Sequence, residues 1–335
     1  MPTRLNKAQL LGVVETAIRD SGWNYLHVSE RGHHPARYQV YRGDRSYAVR
    51  VYIWNLTHGG RSRAEDEWRI QATGVQRFLQ EPGWKTLILG WRSDLGVFAG
   101  FDVARHRQKL GSSPSLQLRE AALKEAAVDG LAASNKGSGE LAIAFRPDLL
   151  AAYLDSLESL HACGRLPSDF EMLTRVAQDP EGVGDDEVAA QIGDERRRFA
   201  VLSTKRALRD GSFRHRVLTA YGHRCAMCGI QLKLLDGAHI LPAKHPDSTD
   251  ETHNGIALCA LHHRSYDNGL VTFDAGFETH LNDEMIDSLK AENLAAELER
   301  FEVELRPLIL LPPDRRDRPS EHFVELANRH RGWTL

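Results

Sequence analysis

Residues Cys225 to Phe273 read CAMCGIQLKLLDGAHILPAKHPDSTDETHNGIALCALHHRSYDNGLVTF. Two cysteines separated by two residues open the stretch. Cys259-Ala260-Leu261-His262 closes it about thirty residues later, within the spread of structural zinc sites. Thiolates and imidazole are the donors that a borderline-soft, tetrahedral Zn²⁺ selects, and two short clips pin two distant chain segments together. Cys225, Cys228, Cys259 and His262 are therefore the expected structural zinc ligands. Between the clips lie His239, in an apolar strand-like run, and Asn254, in a turn; His263 directly follows the last clip. A zinc knuckle with a purely structural task needs neither His239 nor Asn254.

The order His239, Asn254, His263, set in the words LDGAHILP and NGIALCALHHRSYDNGLVTF, resembles the HNH nuclease motif. The flanks FRHRVLTAYGHRCAMCG and LILLPP…RPSEHFVELANRH extend the likeness: over roughly residues 205–335 the chain is similar to the C-terminal half of bacterial predicted restriction endonucleases of the HNH class. The resemblance implies a ββα-metal unit, two strands and a helix, that hydrolyses phosphodiester bonds in double-stranded DNA. Such chemistry needs an activated water and a group that neutralises charge on the phosphate and leaving oxygen. Carried onto this chain, His239 is the general base and Asn254 ties down the loop between strand and helix. His263 is then a ligand of a catalytic Mg²⁺ or Mn²⁺. His262 and His263 are helix neighbours pointing about 100° apart, so one suits zinc and the other the catalytic ion. One position departs from the pattern. Where many HNH motifs place Asp or His before the base, this chain has Ala238; Asp236, two residues earlier on a period-two strand, is the candidate substitute ligand, or else a turn carboxylate. A homodimer is one route to double-strand cleavage.

At 335 residues the chain is long enough for two cores. A formal net charge of −3 excludes a global basic field, so any DNA-contact surface must be a local patch. Of the four cysteines only Cys163 lies outside the proposed zinc site, which argues for metal in a reducing compartment rather than disulfides. The start, MPTRLNKAQLLGVVETAIRD, has basic residues before an apolar run. Glu15 and Arg19 interrupt that run and no small-residue cleavage site follows, so it reads as an amphipathic helix, not a signal peptide. No stretch approaches a membrane span, and the expected location is the cytoplasm.

Along the first half, ARYQVY and SYAVRVYIW flank a short polar turn and read as a hairpin. EWRIQATG, KTLILGW, GVFAGFD and ELAIAF read as further strands, LREAALKEAAVDG and PDLLAAYLDSLESLH as helices. The fold class expected is α+β: an N-terminal, mainly antiparallel sheet with helices over residues 1–163, a linker with a helix over 164–204, and the nuclease domain over 205–335. The linker is suggested by the acidic, Gly/Pro-rich run GRLPSDFEMLTRVAQDPEGVGDD. After the zinc unit, ENLAAELERFEVEL reads as one helix.

A nuclease of this kind needs a selectivity module, and the first domain is the expected reader. Its candidate DNA contacts are Arg37, Arg50, Tyr52 and Trp54 on strand faces and Arg61 and Arg63 in a Gly-rich loop. Arginine holds phosphate or reads guanine, and exposed aromatics stack on bases, flipped ones included. The competing expectation is that Tyr52 and Trp54 pack under the helix that starts near Leu5, with the arginines as ordinary surface. At the level of function, the alternative to an endonuclease is a zinc-stabilised nucleic-acid-binding or regulatory protein whose HNH site is inactive.

Overall fold

The structure, a computed structural model, describes residues 3–58, 64–111, 114–135 and 139–335. The chain divides into two compact units, Met1–Arg209 and Asp210–Leu335, and its class is α+β.

In the first unit α1 (Lys7–Asp20) starts at Asn6, whose side chain accepts from the Gln9 backbone N–H while the Gln9 side chain returns the bond, a capping box. Strands β1 (Asn24–His27), β2 (Ala36–Arg42) and β3 (Arg45–Asn55) follow, with Gly43 (φ 59°) in the expected hairpin turn. The chain then leaves this sheet for β4 (Thr57–His58) and β5 (Glu67–Gln71). It returns as β6 (Trp84–Arg92) and β7 (Val97–Phe101), and crosses again to β8 (Ser115–Arg119). Helix α2 (Glu120–Asp129) leads to β9 (Leu131–Asn135) and β10 (Leu141–Phe145). The main sheet has the order β1-β2-β3-β6-β7-β10-β9, and β4-β5-β8 form a second, small sheet. The main sheet is antiparallel except at β3–β6, which pair in parallel. That exception follows from the excursion through β4 and β5, which lets β6 enter from the same end as β3.

Both faces of the main sheet are covered, so β3 alternates between two cores. Val49, Val51 and Ile53 join Leu10, Val14 and Ile18 of α1 on one side. Tyr52 and Trp54 join Trp68, Ile70, Leu116 and Leu118 of the small sheet and Leu123 of α2 on the other. The segment expected as a linker is instead folded. After α3 (Leu150–Ala162), helices α4 (Pro167–Gln178) and α5 (Asp185–Gln191) send Met172, Leu173, Val176 and Val188 into the first of these cores, and Ile192, just past α5, joins them. Arg197 adds an ion pair to the buried Asp169 at 2.6 Å. At Ile192 the backbone is extended and α5 stops; α6 (Glu195–Ala220) follows and runs across the division at residue 209.

In the second unit the last turns of α6 precede β11 (Leu235–His239) and β12 (Gly255–Cys259), an antiparallel pair in which His239 faces Gly255 and Leu235 faces Cys259. Helix α7 (Ala260–Asp267) begins at once, giving the expected two strands and a helix. Strands β13 (Val271–Phe273) and β14 (Thr279–Leu281) form a second hairpin, followed by α8 (Asp283–Ala291), α9 (Leu298–Glu304) and α10 (Glu321–His330). The single helix expected over 292–305 is thus only α9; Asn293 and Glu297 have positive φ (56° and 63°), which ends α8 and delays the next helix. No described helix is long and apolar enough to cross a membrane.

Candidate active site

The zinc clips meet as the spacing requires. Cys225, Cys228, Cys259 and His262 present ligand atoms all within 4.8 Å of one another, three of the four residues buried. Cys225 Sγ to His262 Nδ1 is 3.7 Å, Cys259 Sγ to His262 Nδ1 3.1 Å, and Cys228 Sγ to Cys259 Sγ 4.0 Å. Bonds of roughly 2.3 Å to sulfur and 2.0–2.1 Å to nitrogen place neighbouring donors about 3.5–3.8 Å apart around a tetrahedral ion; the distances here scatter on both sides of that spacing, and the soft donor set suits Zn²⁺. Backbone bonds hold the knuckle: Gly229 N–H donates to Cys225 O (2.8 Å), Ala226 N–H to Ala257 O (2.7 Å), and Leu310 N–H to Ala226 O (2.8 Å).

On the hairpin the α6 side is open only because two residues lack side chains. A Cβ at Gly255 would lie 2.2 Å from Val217 Cγ2, and one at Gly237 would lie 3.0 Å from Arg214 Cα. With glycine there, α6 lies close enough for Phe213 to stack on His239, ring centroids 3.9 Å apart at 10°. His239 ends β11, and its Nε2 lies 2.9 Å from Asp250 Oδ1; the two side chains are 19% and 14% exposed. Phe213 and Asp250 therefore constrain both the plane and the in-plane rotation of the imidazole.

Asn254 is fully buried. Its Oδ1 accepts from Leu241 N–H (2.9 Å), and its Nδ2 donates to Thr249 O (2.8 Å), Ser248 Oγ (3.0 Å) and Leu241 O (3.4 Å). The loop so tied runs between the two strands, from Leu241 to Thr249, rather than between strand and helix. Arg331, past α10, donates to Ile240 O (2.9 Å) and to Tyr266 Oη (3.1 Å), so the C-terminal segment secures the chain just after His239.

His263 points away from the zinc ligands. Its Nδ1 is 3.3 Å from Asp236 Oδ2 and its Nε2 3.4 Å from Asp267 Oδ2. The hydrogen bond with Asp236 raises its pKa above the ordinary imidazole value; burial works against this, and Asp267 adds to the rise. Asp236, half exposed beside Arg214 Nε at 3.9 Å, is thus brought to His263. Carboxylate and imidazole that both reach solvent are a donor pair that suits a hard divalent ion keeping open positions for water and phosphate.

Two acids escaped the sequence reading. Asp267 carried a usable signal, the helical i,i+4 spacing from His263. Asp250 carried none, since it sits in a polar loop eleven residues from its partner.

The DNA contacts expected in the first unit fare differently. Arg50, Tyr52 and Trp54 are 2%, 1% and 7% exposed, which corrects their assignment as an exposed contact face. Arg50 pairs with Glu81 (2.9 Å) and donates to Leu79 O (3.1 Å), and Tyr52 Oη accepts from Leu79 N–H (3.2 Å). Nor do Tyr52 and Trp54 pack under the apolar face of α1 as the competing expectation had it; they fill the opposite core, where the Lys7 ammonium at the start of α1 lies 4.8 Å from the Trp54 ring centroid. Arg37 is half-buried, its guanidinium 4.4 Å from the Trp84 ring centroid. Arg61 and Arg63 lie outside the described residues.

Comparison with known proteins agrees with the site. Residues 225–274 match the family described as HNH endonuclease, and residues 47–154 match the family described as Methylase-associated X1. No curated protein matches the chain. Among solved structures, a protein titled "Modification dependent TagI restriction endonuclease" aligns over 85% of this chain and 81% of its own. Its sequence identity is 12% and its TM-score 0.29, a score too low to establish a shared overall fold. Residues 225–274 are an HNH endonuclease domain, carried in one chain with a Methylase-associated X1 domain at 47–154.

Proposed function

We propose that the chain is a restriction-type endonuclease that hydrolyses phosphodiester bonds of double-stranded DNA at the HNH site, with the first unit as the module that selects the target. The observation that carries this reading is the convergence in one domain of an oriented histidine, a buried asparagine loop anchor and a histidine–carboxylate pair, on residues that match the HNH endonuclease family. His239 takes a proton from the attacking water. Asn254 keeps the loop beside it in place. Asp236 and His263 would hold Mg²⁺ or Mn²⁺, which supplies charge stabilisation at the phosphate and leaving oxygens. The Cys3His cluster would hold Zn²⁺, which would fix the start of α7 and with it His263. The reading of an inactive, merely DNA-binding HNH unit is not favoured, because base, anchor and ligand pair are all present.

Selection by the first unit rests on its match to the Methylase-associated X1 family, and a dimer would place two sites on two strands. The test is cleavage of plasmid and matched linear duplexes with Mg²⁺ or Mn²⁺. The duplexes are unmodified, cytosine-modified, adenine-methylated or phosphorothioate. Cutting that needs the ion and is confined to one modified form is the expected result. Equal cutting of all forms at a common sequence leaves a plain sequence-specific enzyme, and no cutting of any form removes the nuclease reading.

A further inference from the structure

Asp250 has no role in the motif, yet its Oδ1 lies 2.9 Å from Nε2 of the His239 ring. An ionised carboxylate only accepts hydrogen bonds, so a neutral His239 at this distance carries its proton on Nε2 and leaves the Nδ1 lone pair free. Phe213 stacked at 3.9 Å closes one face of the ring. Asp250 is itself held. Arg216 of α6 donates to its main-chain oxygen (2.6 Å), and Asn254 donates to the carbonyl of the preceding residue, Thr249 (2.8 Å). Among the described residues, the Asp250 carboxylate of the loop faces the imidazole directly, the Arg216 guanidinium of α6 is bound to that loop's backbone, and Phe213 of α6 covers the ring with an uncharged face; Arg214 of α6 lies by Asp236, farther along the strand.

From this geometry we infer that Asp250 is a positioning residue for the hydrolytic reaction. It fixes His239 in the Nε2–H tautomer so that Nδ1 is the basic nitrogen, and it stabilises the imidazolium once Nδ1 has taken the proton from water. The proton balance is simple: water loses one proton to Nδ1, the Nε2 proton stays on nitrogen, and the carboxylate remains ionised. The inference also gives Asn254 a reach beyond its own loop. By fixing Thr249 it places Asp250, and through Asp250 the base.

The inference rests on the nuclease reading for its kinetic consequence but not for its structural one, so the test has two arms on the full-length, zinc-loaded protein. In the first, ¹⁵N-histidine NMR reads the His239 tautomer. The wild type should show Nε2–H, and Asp250→Ala a mixture of tautomers. An unchanged tautomer in Asp250→Ala overturns the inference whether or not the protein cuts DNA. In the second, plasmid cleavage is followed against pH. Asp250→Asn should lower the maximal rate by about 10²–10³-fold, of the size that general-base contributions have. It should also move the acid limb of the profile to lower pH, because the imidazolium loses its counter-charge. Asp250→Glu should recover part of the rate. A wild-type rate and unmoved limb in Asp250→Asn overturn the inference. So does a loss of zinc or of helical signal in every Asp250 variant, which would make the residue structural. A wild type that cuts nothing sinks the nuclease reading instead, and leaves the NMR arm to decide Asp250.

Discussion

Replacing Asn254 tests whether the loop beside the base is held by one side chain. Asn254→Ala removes the acceptor of the Leu241 N–H and the donor to Thr249 O and Ser248 Oγ. Leu241 is fully buried, so its orphaned N–H costs about 1–3 kcal/mol, and each lost bond to the loop about 1 kcal/mol more. The total is about 3–5 kcal/mol, which at about 1.4 kcal/mol per decade is a loss of roughly 10²–10⁴-fold in exchange protection. The isosteric Asn254→Asp is the sharper case. Its second oxygen faces Thr249 O, where Nδ2 donated, so it must be protonated to bond there. Holding that proton at pH 7 against an ordinary carboxylate value near 3.9 costs about 4 kcal/mol. The sign follows: a raised pKa in the folded state penalises folding above the ordinary value, so the deficit of the Asp variant shrinks as pH falls toward about 4, while that of the Ala variant does not. Hydrogen exchange over residues 240–256 at neutral and acid pH reads this directly. Wild-type protection in Asn254→Asp at pH 7 would show that the loop is not held by this side chain.

Purified protein should carry one zinc per chain by elemental analysis. Cys228→Ser should release it and unfold the second unit, since metal affinity is folding energy in such a site; zinc-free wild-type protein with native exchange protection would contradict this. Arg50→Ala should destabilise the first unit by about 2–4 kcal/mol in urea, through loss of packing, of the bond to Leu79 O and of the pair with Glu81. Its DNA affinity and salt slope should hold, and a slope reduced by about one phosphate contact with unchanged stability would return Arg50 to the DNA surface.

The HNH half was legible because its motif is written in short spacings. Cys225-x-x-Cys228 and Cys259-x-x-His262 are clips whose geometry hardly depends on the rest of the chain, and His239, Asn254 and His263 are read in order along the same stretch. Asp250 was hidden because the contact that matters is set by a loop path, and a loop carries no periodicity. In the first unit the alternation Arg50, Tyr52, Trp54 looks like a polar outer face. It becomes an inner one only because β4, β5, β8 and α2 fold over it, a tertiary fact that strand patterning does not encode. The segment 164–204 misled through composition: its Gly, Pro and acidic residues mark the turns between α4, α5 and α6. The signal against a linker was the helical spacing of Met172, Leu173 and Val176. β9 was missed for a related reason, since Leu131-Ala132-Ala133-Ser134-Asn135 has small side chains that show no strand preference and gains its place from pairing with β10.

Whether His239 is the base of a working nuclease is read most directly from Mg²⁺- or Mn²⁺-supported cleavage of the preferred DNA by wild type and His239→Ala, alongside binding of the same DNA and zinc content. Cleavage should fall by about 10²–10⁴-fold with DNA affinity and zinc retained, because the change removes a general base and no contact to phosphate. Cleavage by His239→Ala at the wild-type rate would contradict that role.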